Sequence, residues 1–134
     1  MQDERKVIVY SGEWTRETCK SMPKSLFIFG DNDAQKGCKG QAVIRYEPNA
    51  YGIPTKKMPY LSENSFYTDG EYAENKIKID AAIEKIISVL HQYDAIIVSA
   101  GKLGSGLAQL DKRAPKTYKY LQEQIDRLLG DFVE

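Results

Sequence analysis

The chain has 134 residues, enough for one domain that buries its own core. Its 19 basic and 19 acidic residues cancel, which argues against a nucleic-acid or membrane surface as partner. No apolar stretch approaches the ~20 residues that cross a bilayer, and the polar residues 1–6 do not resemble a signal peptide. Two cysteines without metal-ligand spacing and a single histidine predict reduced thiols, no metal and no cofactor. We therefore expect one cytoplasmic domain over residues 1–134.

The first half of the chain alternates short apolar runs with short helical segments. The pattern predicts strands at residues 6–10, 25–29 and 50–53. The third strand should end at Pro54, because proline has no N–H to donate to a sheet. Brief helices are predicted at residues 13–20 and 41–46, and the aperiodic residues 58–69 are expected to form a loop.

The second half contains two longer helices around one apolar strand. A capping-box pattern, Thr68 with Glu71, marks the start of a helix that should run to about His91. Its apolar stripe is predicted to be Ile79, Ala82, Ile83, Ile86, Ile87 and Leu90. Residues 95–98 are typical of a strand buried on both faces, and Pro115 opens a last helix. That helix is predicted to bury Tyr118, Leu121, Ile125, Leu128 and Leu129. The alternation of strands and helices predicts an α/β fold with a mostly parallel central sheet.

Three loops that follow predicted strands contain glycine or lysine: residues 30–42, 52–57 and 101–107. Because the carboxyl ends of parallel strands meet at one edge, these loops should converge on one crevice. Glycine lets backbone N–H groups approach an anion without a Cβ in the way. Two glycine loops that each precede a helix suit a diphosphate. The alternative is that the glycines only form tight turns.

The order and spacing of these loops resemble those of macro domains, over residues 25–129. Residues 94–111 resemble the second ADP-ribose loop of that family, in which a strand leads to a Gly-x-Gly-Leu turn around the diphosphate and distal ribose. Gly30-Asp31-Asn32 and residues 39–42 resemble the first loop. Residues 51–57 are similar to the Thr-Lys-Lys stretch of small macro domains related to the terminal ADP-ribose protein glycohydrolase. Phage and bacterial proteins of uncertain function also carry a similar Phe-Gly-Asp-Asn segment, which suggests a divergent branch.

The resemblance implies a three-layer α/β/α fold that binds ADP-ribose or a related nucleotide. The implied ligand-binding residues are Gly30, Asp31, Asn32, Lys39, Gly40, Gln41, Ala42, Thr55, Gly101, Gly104, Ser105, Gly106 and Leu107. If the protein is catalytic, the resemblance implies hydrolysis of an ADP-ribosyl bond or of ADP-ribose 1″-phosphate. Lys56 would then attack the anomeric carbon, provided that burial lowers its pKa, and Asp31 or Asp111 would handle the proton or water.

Departures from the family pattern leave other functions open. Cys38 replaces a glycine of the first loop, and Ala108 stands where the glycohydrolase has its acid. The nearest carboxylate, Asp111, can equally cap the segment before Pro115. A non-catalytic module that sequesters the nucleotide is therefore one alternative.

The aromatic loop at residues 60–67 leaves room for a third function. It can serve as the anchor patch of a small α/β protein-interaction domain, whose partner the sequence does not identify. Aromatic residues can instead stack on a nucleotide base. The candidates are Trp14, Tyr51, Tyr60, Phe66 and Tyr67.

Overall fold

A computed structural model describes residues 5–134, so the expectation about a signal peptide falls largely outside the described range. The strands are β1 (Lys6–Tyr10), β2 (Ser25–Asn32), β3 (Ala50–Lys56) and β4 (Ala95–Ser99). The α-helices are α1 (Arg16–Ser21), α2 (Tyr72–Val89), α3 (Leu110–Arg113) and α4 (Pro115–Val133). Short 3-10 turns lie at Gly40–Ile44, Glu63–Ser65, Asp69–Glu71 and Leu90–Gln92.

The strands form one parallel sheet in the order β1-β4-β2-β3. The central strand β4 pairs with β1 along its whole length. By contrast, β2 pairs with β4 only from Ser25 to Phe27, and with β3 from Phe27 to Asn32. The two central strands therefore separate towards their carboxyl ends.

Alternate side chains of the strands pack against helices on opposite faces of the sheet. Leu26, Ile28 and Ile96 belong to one core cluster, which includes the buried residues of α2 and α4. Phe27, Phe29 and Ile97 belong to a second cluster with the residues of α1 and of the turn at Gly40–Ile44. The fold is therefore a three-layer α/β/α arrangement around an all-parallel sheet, and the predicted fold class is confirmed.

The prediction that the third strand ends at Pro54 is wrong, because β3 continues to Lys56. β3 is an edge strand with β2 on one side only. A proline is tolerated on an edge strand, since its nitrogen can face the open side and no ladder hydrogen bond is lost. The two additional residues extend β3 to the same edge as the end of β2.

The long helices follow the sequence pattern, with corrections at particular residues. The predicted capping box is present, and the Glu71 carboxylate accepts from the Thr68 N–H at 3.1 Å. Ile87 does not belong to the buried stripe, since it is 55% exposed. At about 100° per residue it lies roughly 80° around the helix from Ile79. Asp111 lies within α3, and the residue that precedes α4 is Ala114, so the capping alternative for Asp111 is wrong.

The last helix begins at Pro115, as predicted, and buries Leu121, Ile125 and Leu128. Tyr118 and Leu129 are only half-buried. Among residues 5–134, none of the helices has both the length and the apolar character that a bilayer span requires.

Candidate functional site

The topology opens a crevice along the carboxyl edge of the sheet. The segments after β1 and β2 turn towards the α1 face, whereas those after β3 and β4 turn towards the face covered by α2 and α4. In the order β1-β4-β2-β3 these two directions alternate, so neighbouring loops diverge at every step. Ligands of open α/β sheets bind where neighbouring loops diverge in this way.

Two adjoining cavities occupy this crevice. The main cavity has a volume of about 760 Å³ and lies over the ends of β2 and β3 and beside the loop after β4. The second cavity, of about 700 Å³, lies beside the loop after β1. Both are lined by Cys38, Gly40 and Gln41, which therefore form the wall between them. Each volume is in the range of small-molecule sites.

The main cavity brings together the three loops that were singled out from the sequence. All the predicted ligand-binding residues line it except Gly101 and Ser105. Those that do are Gly30, Asp31, Asn32, Lys39, Gly40, Gln41, Ala42, Thr55, Gly104, Gly106 and Leu107. Lys56 also lines this cavity, whereas Asp111 does not.

Asp31 is held in a buried ion pair. Its Oδ1 lies 2.5 Å from Arg45 Nη1, and the two side chains are 11% and 6% exposed. Arg45 also donates to the backbone carbonyls of Lys36 and Gly37, so that the first loop wraps around its guanidinium group. Arg45 neutralises the Asp31 carboxylate, and the main effect of this ion pair is to fix the first loop.

Asn32 is also engaged within the loop that it begins. Its Nδ2 donates to the carbonyl of Lys36 at 2.8 Å, and its Oδ1 accepts the Lys36 N–H at 3.4 Å. Thr55 donates from Oγ1 to the Asp31 carbonyl at 3.2 Å, which ties β3 to β2 at the floor of the cavity. These polar side chains shape the wall of the cavity through contacts within the protein.

The third loop presents backbone groups to the cavity. The N–H groups of Gly106, Leu107 and Ala108 have no acceptor among the described residues. A Cβ added to Gly106 would meet no atom within 4 Å, so this glycine borders open space. A Cβ on Gly40 would lie 3.6 Å from Leu107 Cδ1, which places the first and third loops opposite each other. Free amides on a loop without side-chain obstruction are suited to an anion.

Lys56 is a buried cation of the main cavity. The residue is 8% exposed, and its Nζ donates to the Tyr60 carbonyl at 2.6 Å and lies 4.5 Å from the Phe66 ring centroid. Arg113 packs on the same ring, with its Cζ 3.9 Å from the centroid. Burial lowers the pKa of Lys56 below its ordinary value, and the positive charge of Arg113 lowers it further. A larger fraction of this amine is therefore neutral than for a solvated lysine at the same pH.

The charges that line the two cavities differ in sign. In the described part of the chain, the main cavity is lined by four lysines and by one carboxylate, that of the ion-paired Asp31. The lysines are Lys36, Lys39, Lys56 and Lys102. The second cavity is lined by Glu13, Glu17 and Arg16. Although the whole chain is neutral, the main cavity favours an anionic ligand.

Asp111 does not join the other predicted catalytic residues. Its Oδ1 is buried and has no hydrogen-bond partner among the described residues. Burial raises the pKa of Tyr118 above its ordinary value, and the negative charge of Asp111 raises it further. Asp111 is not among the residues that line the main cavity, whereas Lys56 is one of them.

Most of the predicted base-stacking residues are occupied inside the protein. Trp14, Phe66 and Tyr67 are buried, and Tyr51 packs edge-on against Tyr93 with ring centroids 6.5 Å apart. Tyr60 is 58% exposed and lines the main cavity together with its neighbour Leu61, which is 72% exposed. The aromatic loop therefore exposes a small patch at the cavity mouth.

Sequence analysis missed the second cavity, where Trp14 stacks on Tyr10 with ring centroids 5.5 Å apart. The available signal was the end of β1, because residues 11–17 follow a strand parallel to the others and therefore lie at the same edge. It also did not single out Leu61 or Leu103 as site residues of the main cavity, since neither belongs to a recognisable motif.

These observations define a three-layer α/β/α protein with a ligand-sized crevice at the carboxyl edge of a parallel sheet. The chain belongs to a family of unknown function, DUF7831, which matches residues 9–124. A comparison with curated proteins found no match, and neither did a comparison with solved structures.

Proposed function

We propose that the protein binds ADP-ribose or a closely related nucleotide in the main cavity. The observation that carries this proposal is the convergence of both glycine loops on one cavity with a surplus of lysines. Their resemblance to the ADP-ribose loops of macro domains, together with this charge, favours a phosphorylated nucleotide over a neutral ligand. The protein would then be a divergent, phage-like or bacterial-like relative of the macro domains.

The geometry supports a particular orientation of such a ligand. The free N–H groups of residues 106–108 would hold the diphosphate, and Lys39 and Lys102 would balance its charge. ADP-ribose carries a bulky group on each side of its diphosphate. A crevice made of two adjoining cavities can accommodate both groups, with the wall at Cys38, Gly40 and Gln41 beneath the linkage.

Isothermal titration calorimetry with ADP-ribose, ADP and NAD tests this proposal. We expect ADP-ribose to bind, and adenosine, which has no phosphate, to bind more weakly. The chain has one tryptophan, Trp14, and it lines the second cavity, so its fluorescence reports whether the ligand reaches that cavity. Absence of binding by all three phosphorylated nucleotides at millimolar concentration would contradict the proposal.

The site favours binding without turnover. Ala108 lines the main cavity, and the resemblance aligns it with the acid of the glycohydrolase. Asp31 is neutralised by Arg45, and Asp111 lies outside the lining. In the described part of the chain, no carboxylate that lines the main cavity is free of an ion pair. We therefore propose a module that sequesters or recognises the nucleotide, and expect ligand recovered from the complex to be chemically unaltered.

Hydrolysis of an ADP-ribosyl bond or of ADP-ribose 1″-phosphate is the second candidate, and the buried Lys56 favours it. Both substrates should be incubated with the wild type and with the Lys56→Ala and Asp111→Ala variants. If the neutral Lys56 amine is the nucleophile, the rate of hydrolysis should rise with pH as this amine loses its proton. That rise should occur below pH 10.5, because burial lowers the pKa of Lys56 from that value. A wild-type rate in Lys56→Ala would remove Lys56 from the mechanism, and no turnover by the wild type would favour the binding module.

The two cysteines provide an independent test of the site. Cys19 is 1% exposed, and burial raises its pKa to about 11, whereas Cys38 is exposed and lines both cavities. N-ethylmaleimide should therefore modify Cys38 alone in the folded protein and weaken ADP-ribose binding at least tenfold. Mass spectrometry and calorimetry check this, with Cys38→Ser as the unreactive control.

We also propose a cytoplasmic location, where the exposed thiol of Cys38 remains reduced.

If ADP-ribose binds equally well before and after modification, the wall between the cavities does not contact the ligand. If the reagent also modifies Cys19 in the folded protein, the core around α1 opens more readily than its burial indicates.

A further inference from the structure

Side chains occupy the gap where β2 and β4 separate. The Phe27 N–H donates to the Asn49 carbonyl on the β3 side, and N–H directions alternate along a strand, so Ile28 and Gly30 present their backbone groups to the β4 side. Trp14 Nε1 donates to the Ile28 carbonyl at 3.2 Å, and the Gly30 N–H donates to Gln41 Oε1 at 3.1 Å. Two side chains thus replace β4 as hydrogen-bond partners.

This contact fixes the orientation of the Gln41 amide. The Gly30 N–H can only donate, so the atom that it meets must be the amide oxygen of Gln41. The amide nitrogen, with its two N–H donors, then remains, and it has no acceptor among the described residues. Gln41 lines both cavities, so these donors belong to the wall between them.

The surroundings of Gln41 allow an anion to approach. The other two residues of the wall are Cys38 and Gly40, and neither has a carboxylate. Gly40 has a backbone φ of +60° and no side chain, so the backbone is accessible next to Gln41. Lys39, which lies between Cys38 and Gly40 in the chain, also lines the main cavity and adds a positive charge.

We propose that Gln41 is a binding residue that donates a hydrogen bond to the anionic linkage of a ligand spanning both cavities. This inference rests on the proposed function and specifies its ligand class: nucleotides with a bulky group on each side of a diphosphate. The bond from the Gly30 N–H holds the amide in position before the ligand arrives. A mononucleotide fills only one cavity and loses the contacts of the other.

Gln41→Glu separates the ligand role of this residue from its structural role. Glutamate has the same shape and can still accept from the Gly30 N–H, but it replaces both N–H donors with a carboxylate oxygen. We expect ADP-ribose binding to weaken roughly 10- to 100-fold, because a hydrogen bond to a charged group is lost. The melting temperature should stay close to that of the wild type. Gln41→Ala should weaken binding and also lower the melting temperature, because the Gly30 N–H loses its acceptor.

The matched control is Gln92→Glu, which makes the same change of charge on an exposed residue shortly before β4, at the opposite edge of the sheet. It should bind ADP-ribose like the wild type. Wild-type affinity in Gln41→Glu, or a melting temperature as low as that of Gln41→Ala, would overturn the role of Gln41 alone. Failure of the wild type itself to bind ADP-ribose, ADP or NAD would overturn the proposed function and this inference together.

Discussion

Replacing Gly106 with valine is expected to abolish ADP-ribose binding and leave the protein folded. The added side chain points into open space, and the Gly106 backbone is not in the left-handed region that disfavours side chains. The branched group would instead occupy the position proposed for the diphosphate, beside the free amides of residues 106–108. Calorimetry should show at least a 100-fold loss of affinity, about 2.7 kcal/mol. Far-UV circular dichroism and the melting temperature should stay close to the wild type.

Two neighbouring glycines of the same loop provide controls. Gly101→Val should retain binding, because Gly101 does not line the cavity and its added Cβ would lie 3.9 Å from Ser99 Oγ. Gly104→Val should unfold the protein, because Gly104 has a φ of +92° and its added Cβ would lie 3.0 Å from Leu110 Cδ2. Wild-type affinity in Gly106→Val would exclude the third loop from the site. Unfolding of that variant would show that Gly106 is structural.

Among the site variants in which no glycine is replaced, Arg45→Ala is expected to cause the largest loss of stability. The change would leave the Asp31 carboxylate buried without its partner and remove two hydrogen bonds to the first loop. Removing one partner of a buried ion pair lowers the free energy of unfolding by about 3–5 kcal/mol. This is a large fraction of the ~5–15 kcal/mol that stabilises a domain. Urea unfolding followed by circular dichroism measures this loss as a lower transition midpoint.

The double variant Arg45→Met with Asp31→Asn should recover part of this stability, because it leaves no unpaired buried charge. Lys78→Ala breaks a more exposed ion pair with Asp33 and should change stability much less. A small effect of Arg45→Ala, similar to that of Lys78→Ala, would mean that water reaches Asp31 and compensates its charge.

The fold and the position of the main cavity could be predicted because they depend on local patterns. Apolar runs such as Ala95 to Val98 mark buried strands, and in a parallel sheet the loops after such strands meet whatever their separation in the chain. The extent of β3 could not be predicted in this way. A proline is tolerated in an edge strand but interrupts a central one. Whether the strand that contains Pro54 lies at an edge is a property of the whole sheet.

The roles of the charged residues were harder to predict for a physical reason. The sequence predicts a ligand-binding or proton-handling role for Asp31, but it does not predict that Arg45, which is 14 residues away, pairs with this carboxylate. The side chains that determine the pKa of Lys56 come from other segments, since Phe66 and Arg113 surround it only after the chain has folded. A spacing rule identifies which side chains can carry chemistry, but their partners depend on tertiary contacts.

The order of the strands also has a consequence for how the protein acquires its crevice. β4 is the last strand in the chain, yet it lies between β1 and β2, and β1 has no other strand partner among the described residues. During synthesis β1 must therefore wait until β4 has been made, and this long-range pairing delays completion of the sheet. The loop after β4 supplies one wall of the main cavity. A nascent chain that ends before residue 95 consequently has neither a complete sheet nor a complete crevice, and both form only after β4 has been synthesised.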